Sequence, residues 1–196
     1  TELGIIMAAA GGALALEPLL STVVLGASTI ARIGTSSQRE RLGDVMAGAQ
    51  TLAFCHSEPD GGYSRSYVAT VASASGDGYV LTGAKSFALH AHAADSLLVT
   101  ARLGDPRGPM AVFVVPSDTA GVNRRSAAAI DGRRGAAVSL ADVAVPHDAL
   151  LGASDTDRSA DVDALIDQAV LALCAEAAGA MAAVTEQTVE YLKVRK

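Results

Sequence analysis

The spacing of apolar residues changes character twice along the chain. Over residues 1–48 it is helical, with Leu3, Ile6, Met7, Ala10 and Leu14 recurring near three or four apart. Pro18 suits the first turn of a second helix, where its missing N–H leaves nothing unpaired. That helix carries Leu19, Val23, Val24, Ala27 and Ile30, and Gly34 ends it. Ser36 or Ser37 caps a short third helix through Val45 and Met46, closed by Gly48. From about residue 50 to 150 the pattern is of short strands and turns. Residues 67–71, 79–82, 96–101 and 110–115 are β-prone or apolar runs. Ser75-Gly76-Asp77-Gly78 signals a hairpin, 104–109 reads as a loop, and 136–145 holds one or two more strands before Pro146. Frequent short strands predict a compact β-barrel or sandwich. An Asp- and Ser-rich linker covers 153–163, and a long helix runs from about Val162 onward. The expected fold is therefore α+β: a helical segment (1–48), a middle β-barrel-like domain (49–152), then a linker and a long helix (153–196).

Composition narrows the function classes. The 196 residues are 50% hydrophobic and 18% charged, with mean hydropathy +0.32, which excludes disorder and supports a sizeable core. The net charge is −6 and no basic block exists, which argues against a nucleic-acid surface. Aromatics make up only 4% and Trp is absent, so base-stacking platforms are not expected. The uncharged runs 3–16 and 18–31 each hold about 14 residues, short of the roughly 18–20 that span a bilayer, so no membrane insertion is expected. No basic stretch precedes the first run, which argues against a signal peptide. Cys55 and Cys174 form no C-x-x-C motif, as in a reduced, cytoplasmic protein with buried thiols.

Several local motifs invite chemistry. Gly76-Asp77-Gly78 with Gly83 joins two strands and opens no helix, so it is not a dinucleotide loop. His90-x-His92 lacks further ligands at matched spacing and reads as polar residues at a strand end, with no metal expected. Cys55 and His56 are adjacent on a strand and face opposite sides, so a shared proton is disfavoured and Cys55 reads as packing. The segment from Leu52 to Gly62 runs a strand into Ser57-Glu58-Pro59-Asp60-Gly61-Gly62. Glycines there let backbone N–H groups approach a flat or anionic ligand, and an ordinary connection remains an equal reading.

That segment resembles the signature A-x-x-x-T-E-P-x-A-G-S-D of the acyl-CoA dehydrogenase family. Gly76-Asp77-Gly78-Tyr79-Val80-Leu81-Thr82-Gly83-Ala84-Lys85-Ser86-Phe87 is similar to its G-D-x-Y-x-L-x-G-x-K-x-[WF]. Ala94-Asp95 before Leu97-Leu98-Val99 fits its next strand, and Asp142-Val143-Ala144-Val145-Pro146 with Leu150-Leu151-Gly152 fits its D-V-x-V-P-x-x-x-[LV]-L-G. Tyr191 and Arg195 are similar to the start of its Y-x-x-x-R-x-x-F-G helix. The resemblance implies the end of an N-terminal helical domain, a middle β-barrel domain and the first helix of a truncated four-helix bundle.

The family removes an α-proton from an acyl-CoA with a carboxylate base and passes a hydride from the β-carbon to N5 of FAD. Electrons then leave to an electron-transfer flavoprotein. Carried over residue by residue, the resemblance implies that Phe54, His56 and Ser57 lie on the strand lining the flavin. It implies further that Gly62 lays its backbone against the cofactor and that Phe87 stands beside the isoalloxazine. Arg195 matches the arginine that reaches the FAD of a neighbouring subunit. The base is expected beyond Lys196, and Glu58 belongs to the loop signature. Tyr63 stands where the family usually has a small Ser near the FAD pyrophosphate and adds bulk there. Ser64 replaces the family's Asp, and Leu89 replaces a Thr that hydrogen-bonds the flavin near N5. The first expectation is an FAD-dependent acyl-CoA dehydrogenase, a dimer or tetramer with itself or a paralogous subunit. The alternative is a non-flavin-binding subunit of a heteromeric dehydrogenase, and a ligand-free scaffold is a third. The small residues of the last helix serve either close helix packing or room for a bulky acyl group.

Overall fold

A computed structural model describes residues 2–153 and 156–195. Ser154 and Asp155 of the expected linker, with Thr1 and Lys196, lie outside the described residues. Helix α1 spans Glu2–Gly12. A π-helical segment, Leu19–Ala27, follows Pro18 and runs into α2, Ser28–Ile33, which Gly34 ends. The expected second helix is thus present, but its first part is wound wider than an α-helix. Thr22 pins this segment to the sheet: its hydroxyl donates to the Leu52 carbonyl and accepts from the Leu52 N–H, both at 3.1 Å. The expected third helix is two short ones, α3 (Ser36–Arg39) and α4 (Leu42–Met46). Its cap is Thr35 rather than Ser36 or Ser37. The Thr35 hydroxyl accepts from the Gln38 N–H while the Gln38 side chain accepts from the Thr35 N–H, a reciprocal capping box that only the residue three before Gln38 can form.

Seven strands follow: β1 Leu52–Cys55, β2 Val71–Ser75, β3 Gly78–Leu89, β4 Ser96–Leu103, β5 Met110–Pro116, β6 Val122–Ala128 and β7 Arg134–Pro146. They form one curled mixed sheet in the order β1-β4-β2-β3-β7-β6, with β5 pairing β4 off that path. Strand β4 is the fork. It pairs in parallel with β1 over Ser96–Val99 and with β2 at Arg102 and Leu103, and antiparallel with β5 along its length. The result is half of a barrel, not a two-sheet sandwich. Of the expected strand 67–71, only Val71 enters a ladder. The N–H groups of Ala69 and Thr70 are taken instead by the Glu58 carboxylate.

Strand alternation divides the sheet's two faces. Ala53, Cys55, Leu97, Val99, Phe113, Val138 and Leu140 pack inside the curl. Leu52, Phe54, Leu98, Val112 and Val114 face the other way, against Ile30 and Ile33 of α2 and Val162 of the last helix. That helix, α5 (Ser159–Val194), buries Val162, Leu165, Ala169 and Ala172. Met7, Leu20 and Val24 meet it in a third cluster. Of its small residues, Gly179 serves close packing against α1, while Ala177, Ala178 and Ala182 are exposed. A Cβ on Gly179 would overlap the Ala8 carbonyl, and one on Gly11 would overlap the Glu176 carbonyl. By length and hydropathy (1.5 over its most apolar 18 residues) α5 resembles a membrane span, a feature the N-terminal runs did not signal. Yet its Asp161, Asp167 and Glu176 pair with Arg32, Arg65 and Arg133 of the rest of the chain.

Candidate functional site

A cavity of about 370 Å³ opens where the ends of β1 and β3 meet the π-helical segment and α5. Eight of the residues singled out from the sequence line it: Phe54, His56, Ser57, Gly62, Tyr63, Ser64, Phe87 and Leu89. Leu20, Leu25, Ile166, Ala169, Val170 and Leu173 complete an apolar helical wall. Arg195 stands just past the end of α5, exposed and outside this cavity.

Local structure explains how each side chain arrives. Phe54 and His56 leave β1 two residues apart, and their rings stack at 5.9 Å. On β3 the pairing with β7 slips between Lys85 and Ala88. That bulge turns Ala88 into the core and leaves Phe87 41% exposed, on the cavity. Gly62 follows a 3₁₀ turn at Pro59–Gly61 and has φ +53°, ψ −123°, a conformation that disfavours any side chain. Nothing lies within 4 Å of where its Cβ would stand, so its backbone is open to a ligand. Tyr63 is fully exposed, so the bulk expected to obstruct the approach stands in solvent at the rim.

The functional group that sequence reasoning missed lies beneath this wall. Lys85 and Glu58 form a buried ion pair at 2.6 Å. Glu58 also accepts from the Thr70 hydroxyl at 2.6 Å and from the N–H groups of Ala69 (2.7 Å) and Thr70 (3.1 Å). Lys85 donates to Thr100 Oγ1 at 3.1 Å as well. Burial pushes the Glu58 carboxyl up, but the Lys85 ammonium and these hydrogen bonds outweigh it and hold it below the usual range. Burial lowers the Lys85 pKa against the opposing pull of Glu58. The signal was present in the pattern: Lys85 shares the inward parity of Tyr79 and Leu81 on β3. Cys55, on the opposite side of β1 from His56, is packed in the core, and burial pushes its thiol up to about 12, which makes it a poor nucleophile.

His90 and His92 stand in edge-to-face contact at 5.6 Å, beside a second cavity of about 320 Å³. Among the described residues no group of three or more His, Cys, Asp or Glu could hold a metal ion.

The cavity has the lining of a small-molecule site, mostly apolar with a few polar groups. Its volume lies near the lower end of the roughly 300–1,000 Å³ usual for small-molecule sites. A volume of this size would hold the fused-ring head of a flavin. The exposed face of Phe87, the open backbone at Gly62 and the exposed Ser57 supply the aromatic and polar contacts. Leu89 supplies no hydrogen bond.

Comparison with known proteins agrees with this geometry. A profile of the family "Acyl-CoA dehydrogenase, middle domain" matches residues 53–143. The acyl-CoA dehydrogenase FadE12 of Mycobacterium tuberculosis is 32% identical over 97% of this chain and 50% of its own length. The structure of butyryl-CoA dehydrogenase from Megasphaera elsdenii superposes with a TM-score of 0.86 at 26% identity, over 99% of this chain and 52% of that one. That of the ChsE4-ChsE5 complex from Mycobacterium tuberculosis does so with a TM-score of 0.82 at 26% identity, over 100% of this chain and 50% of that one. The chain spans about half the length of the curated relatives it matches. The five ordered motifs, the curled mixed sheet flanked by helices and these matches lead to one conclusion: the chain belongs to the acyl-CoA dehydrogenase family, whose members are FAD-dependent.

Proposed function

We propose that this chain is part of an FAD-dependent acyl-CoA dehydrogenase that desaturates an acyl-CoA thioester between its α and β carbons and passes the electrons to an electron-transfer flavoprotein. The observation that carries this reading is the convergence of Phe54, His56, Ser57, Gly62, Tyr63, Phe87 and Leu89 on one cavity between the sheet and α5. A bound flavin supplies a two-electron acceptor, chemistry that no side chain provides. Phe54, Phe87 and Leu89 would offer its ring an apolar wall. Ser57 offers a hydroxyl to its polar edge, and the Gly62 backbone lets it approach closely. Arg195 serves the cofactor of a neighbouring subunit in a dimer or tetramer, where a guanidinium matches a pyrophosphate.

No carboxylate lines the cavity among the described residues, and Glu58 is committed to Lys85, Thr70 and Ala69. The resemblance, and no residue described in this chain, supplies the carboxylate that would take the α-proton. The cytoplasm is the proposed compartment, supported by two free cysteines, of which Cys55 is buried as expected and Cys174 is exposed.

Leu89 favours a second reading, in which this subunit pairs with a paralogue that carries the flavin contacts; the two-chain ChsE4-ChsE5 relative supports such an assembly. A visible spectrum of the purified protein separates the two. Flavin absorption from this chain alone supports the first reading, together with acyl-CoA-dependent bleaching when the assembly is complete. A colourless protein that turns yellow only when co-expressed with a paralogue overturns the first and supports the second.

A further inference from the structure

Of the residues that line the cavity between the sheet and α5, only Arg65 carries a permanent charge. Its backbone is fixed. The Arg65 carbonyl oxygen accepts from His56 Nε2 at 2.9 Å, and the neighbouring Ser66 carbonyl accepts from Arg102 at 2.9 Å. Its guanidinium is held less firmly. It pairs at 2.6 Å with Asp167 of α5, and the two side chains are 45% and 67% exposed. An ion pair so open to water contributes little, so an anion of higher charge can take the guanidinium from it. Asp167 itself does not line the cavity.

The same rim offers further donors. Among the described residues, the N–H groups of Gly62 and Tyr63 meet no protein acceptor, and nothing crowds the Gly62 backbone. Ser64, next along the chain, lines the cavity with a hydroxyl that is shared only with Ser66. Two free backbone N–H groups, a hydroxyl and a guanidinium thus stand within residues 62–65, the donor set that phosphate oxygens require. No carboxylate lines the cavity among the described residues to oppose an anion there. We propose that Arg65, with the Gly62 and Tyr63 N–H groups, is the binding site for the diphosphate of the ligand whose head occupies the cavity, and that Arg65 leaves Asp167 when that diphosphate arrives.

This deepens the proposed function and rests on it where the ligand is FAD. An acyl-CoA carries a diphosphate of the same chemistry, so experiment must separate the two sources. The site is distinct from Arg195, which stands past the end of α5 and outside the cavity. The exchange has a definite sign. Asp167 competes with the diphosphate for the guanidinium and also repels it, so the two members of the ion pair act on binding in opposite directions. A pair that merely tied the loop to α5 would have both members act in the same direction.

The test compares ligands with and without a diphosphate: riboflavin, FAD and CoA, followed by flavin fluorescence and calorimetry. Arg65→Gln keeps the carbonyl that His56 holds and removes the charge. It should weaken FAD binding about tenfold and leave riboflavin unchanged. Arg65→Lys should recover part of that loss. Asp167→Asn should tighten FAD binding about threefold. Salt should weaken FAD binding in the wild type and do so less in Arg65→Gln. If Asp167→Asn weakens FAD as Arg65→Gln does, the pair is only a tie between loop and helix, and the proposal is overturned. Equal loss of riboflavin and FAD in Arg65→Gln overturns it as well, because the wall rather than the diphosphate contact has changed. Should CoA rather than FAD respond to the two variants in these opposite directions, the diphosphate is that of the thioester and the proposal stands. Indifference of both ligands to Arg65→Gln overturns it. A protein that binds CoA but neither riboflavin nor FAD sinks the flavin reading alone, and the CoA response then decides the role of Arg65. A protein that binds none of the three overturns both.

Discussion

Strand β3 holds two regions that obey different rules. From Gly78 to Gly83 it alternates as a half-buried strand should, with Tyr79 and Leu81 in the core and Thr82 exposed. The slip between Leu81 and Gly83 puts its extra residue on β7 and leaves the parity of β3 intact, whereas the later slip puts the extra residue on β3 itself. From Ala84 to Leu89 it buries the ammonium of Lys85, slips register against β7 and turns Phe87 outward. The first half is stabilised by apolar contact, which tolerates many side chains of suitable volume. The second depends on hydrogen bonds and an ion pair that fail if one partner is lost. The cavity lies along the second half, because groups aimed at a ligand must leave the alternation that builds a core.

The largest expected effect breaks the second half. Glu58→Gln leaves Lys85 as an uncompensated buried charge and should cost about 3–5 kcal/mol in urea unfolding. The double variant with Lys85→Met, which removes that charge, should be less destabilised than Glu58→Gln alone. Acid should act on the same group. The folded-state pKa of Glu58 is held below 4.5, so its contribution is complete above that value and is lost as pH falls through the lowered pKa. Unfolding measured against pH should show this acid-side loss in the wild type and less of it in Glu58→Gln. A slightly smaller effect belongs to the first half. Leu81 is fully buried, and Leu81→Ala should cost about 3 kcal/mol while leaving FAD affinity unchanged.

Much of this architecture was legible because it is periodic or punctuated. The helical spacing before residue 48, the hairpin at Gly76 and Asp77 and the long last helix all carry local signals, and the motif residues converge on one cavity. What was not legible depends on neighbours that only folding supplies. Strand β6 carries Asn123, Arg124, Arg125 and small residues, nearly all exposed; an edge strand of this kind needs no apolar alternation and so gives no signal. Residues 67–70 look β-prone, yet two of their N–H groups meet a carboxylate rather than a strand. Lys85 showed its inward parity, but its partner stands 27 residues away, and only the sheet brings the two together.

The next effect sharpens the comparison by adding to the second half instead of removing from it. Leu89 is half-buried on the cavity wall. Leu89→Thr places a hydroxyl where the resemblance implies a flavin contact, and one such hydrogen bond is worth about 1 kcal/mol, or roughly fivefold in affinity. FAD titration followed by flavin fluorescence should show that tightening. Unchanged or weaker binding would mean that the ring does not lie against Leu89.

The smallest effect concerns Tyr63, which also departs from the family's motif and also lies on the cavity. The two departures differ in what they touch. Leu89 contributes to the wall itself, packed against the cluster that holds Met7, Leu20 and Val24. Tyr63 is fully exposed and follows Gly62, a position on the cavity whose open backbone a ligand can approach. Removing its ring therefore trims only the rim, and Tyr63→Ser should leave both the urea midpoint and FAD affinity of the isolated chain unchanged. If Tyr63→Ser tightens FAD binding, the ring swings inward in solution and competes for the site. If it changes nothing alone but weakens assembly with a paralogous chain, the aromatic serves a subunit contact, and the departure from the motif belongs to the partner rather than to the flavin.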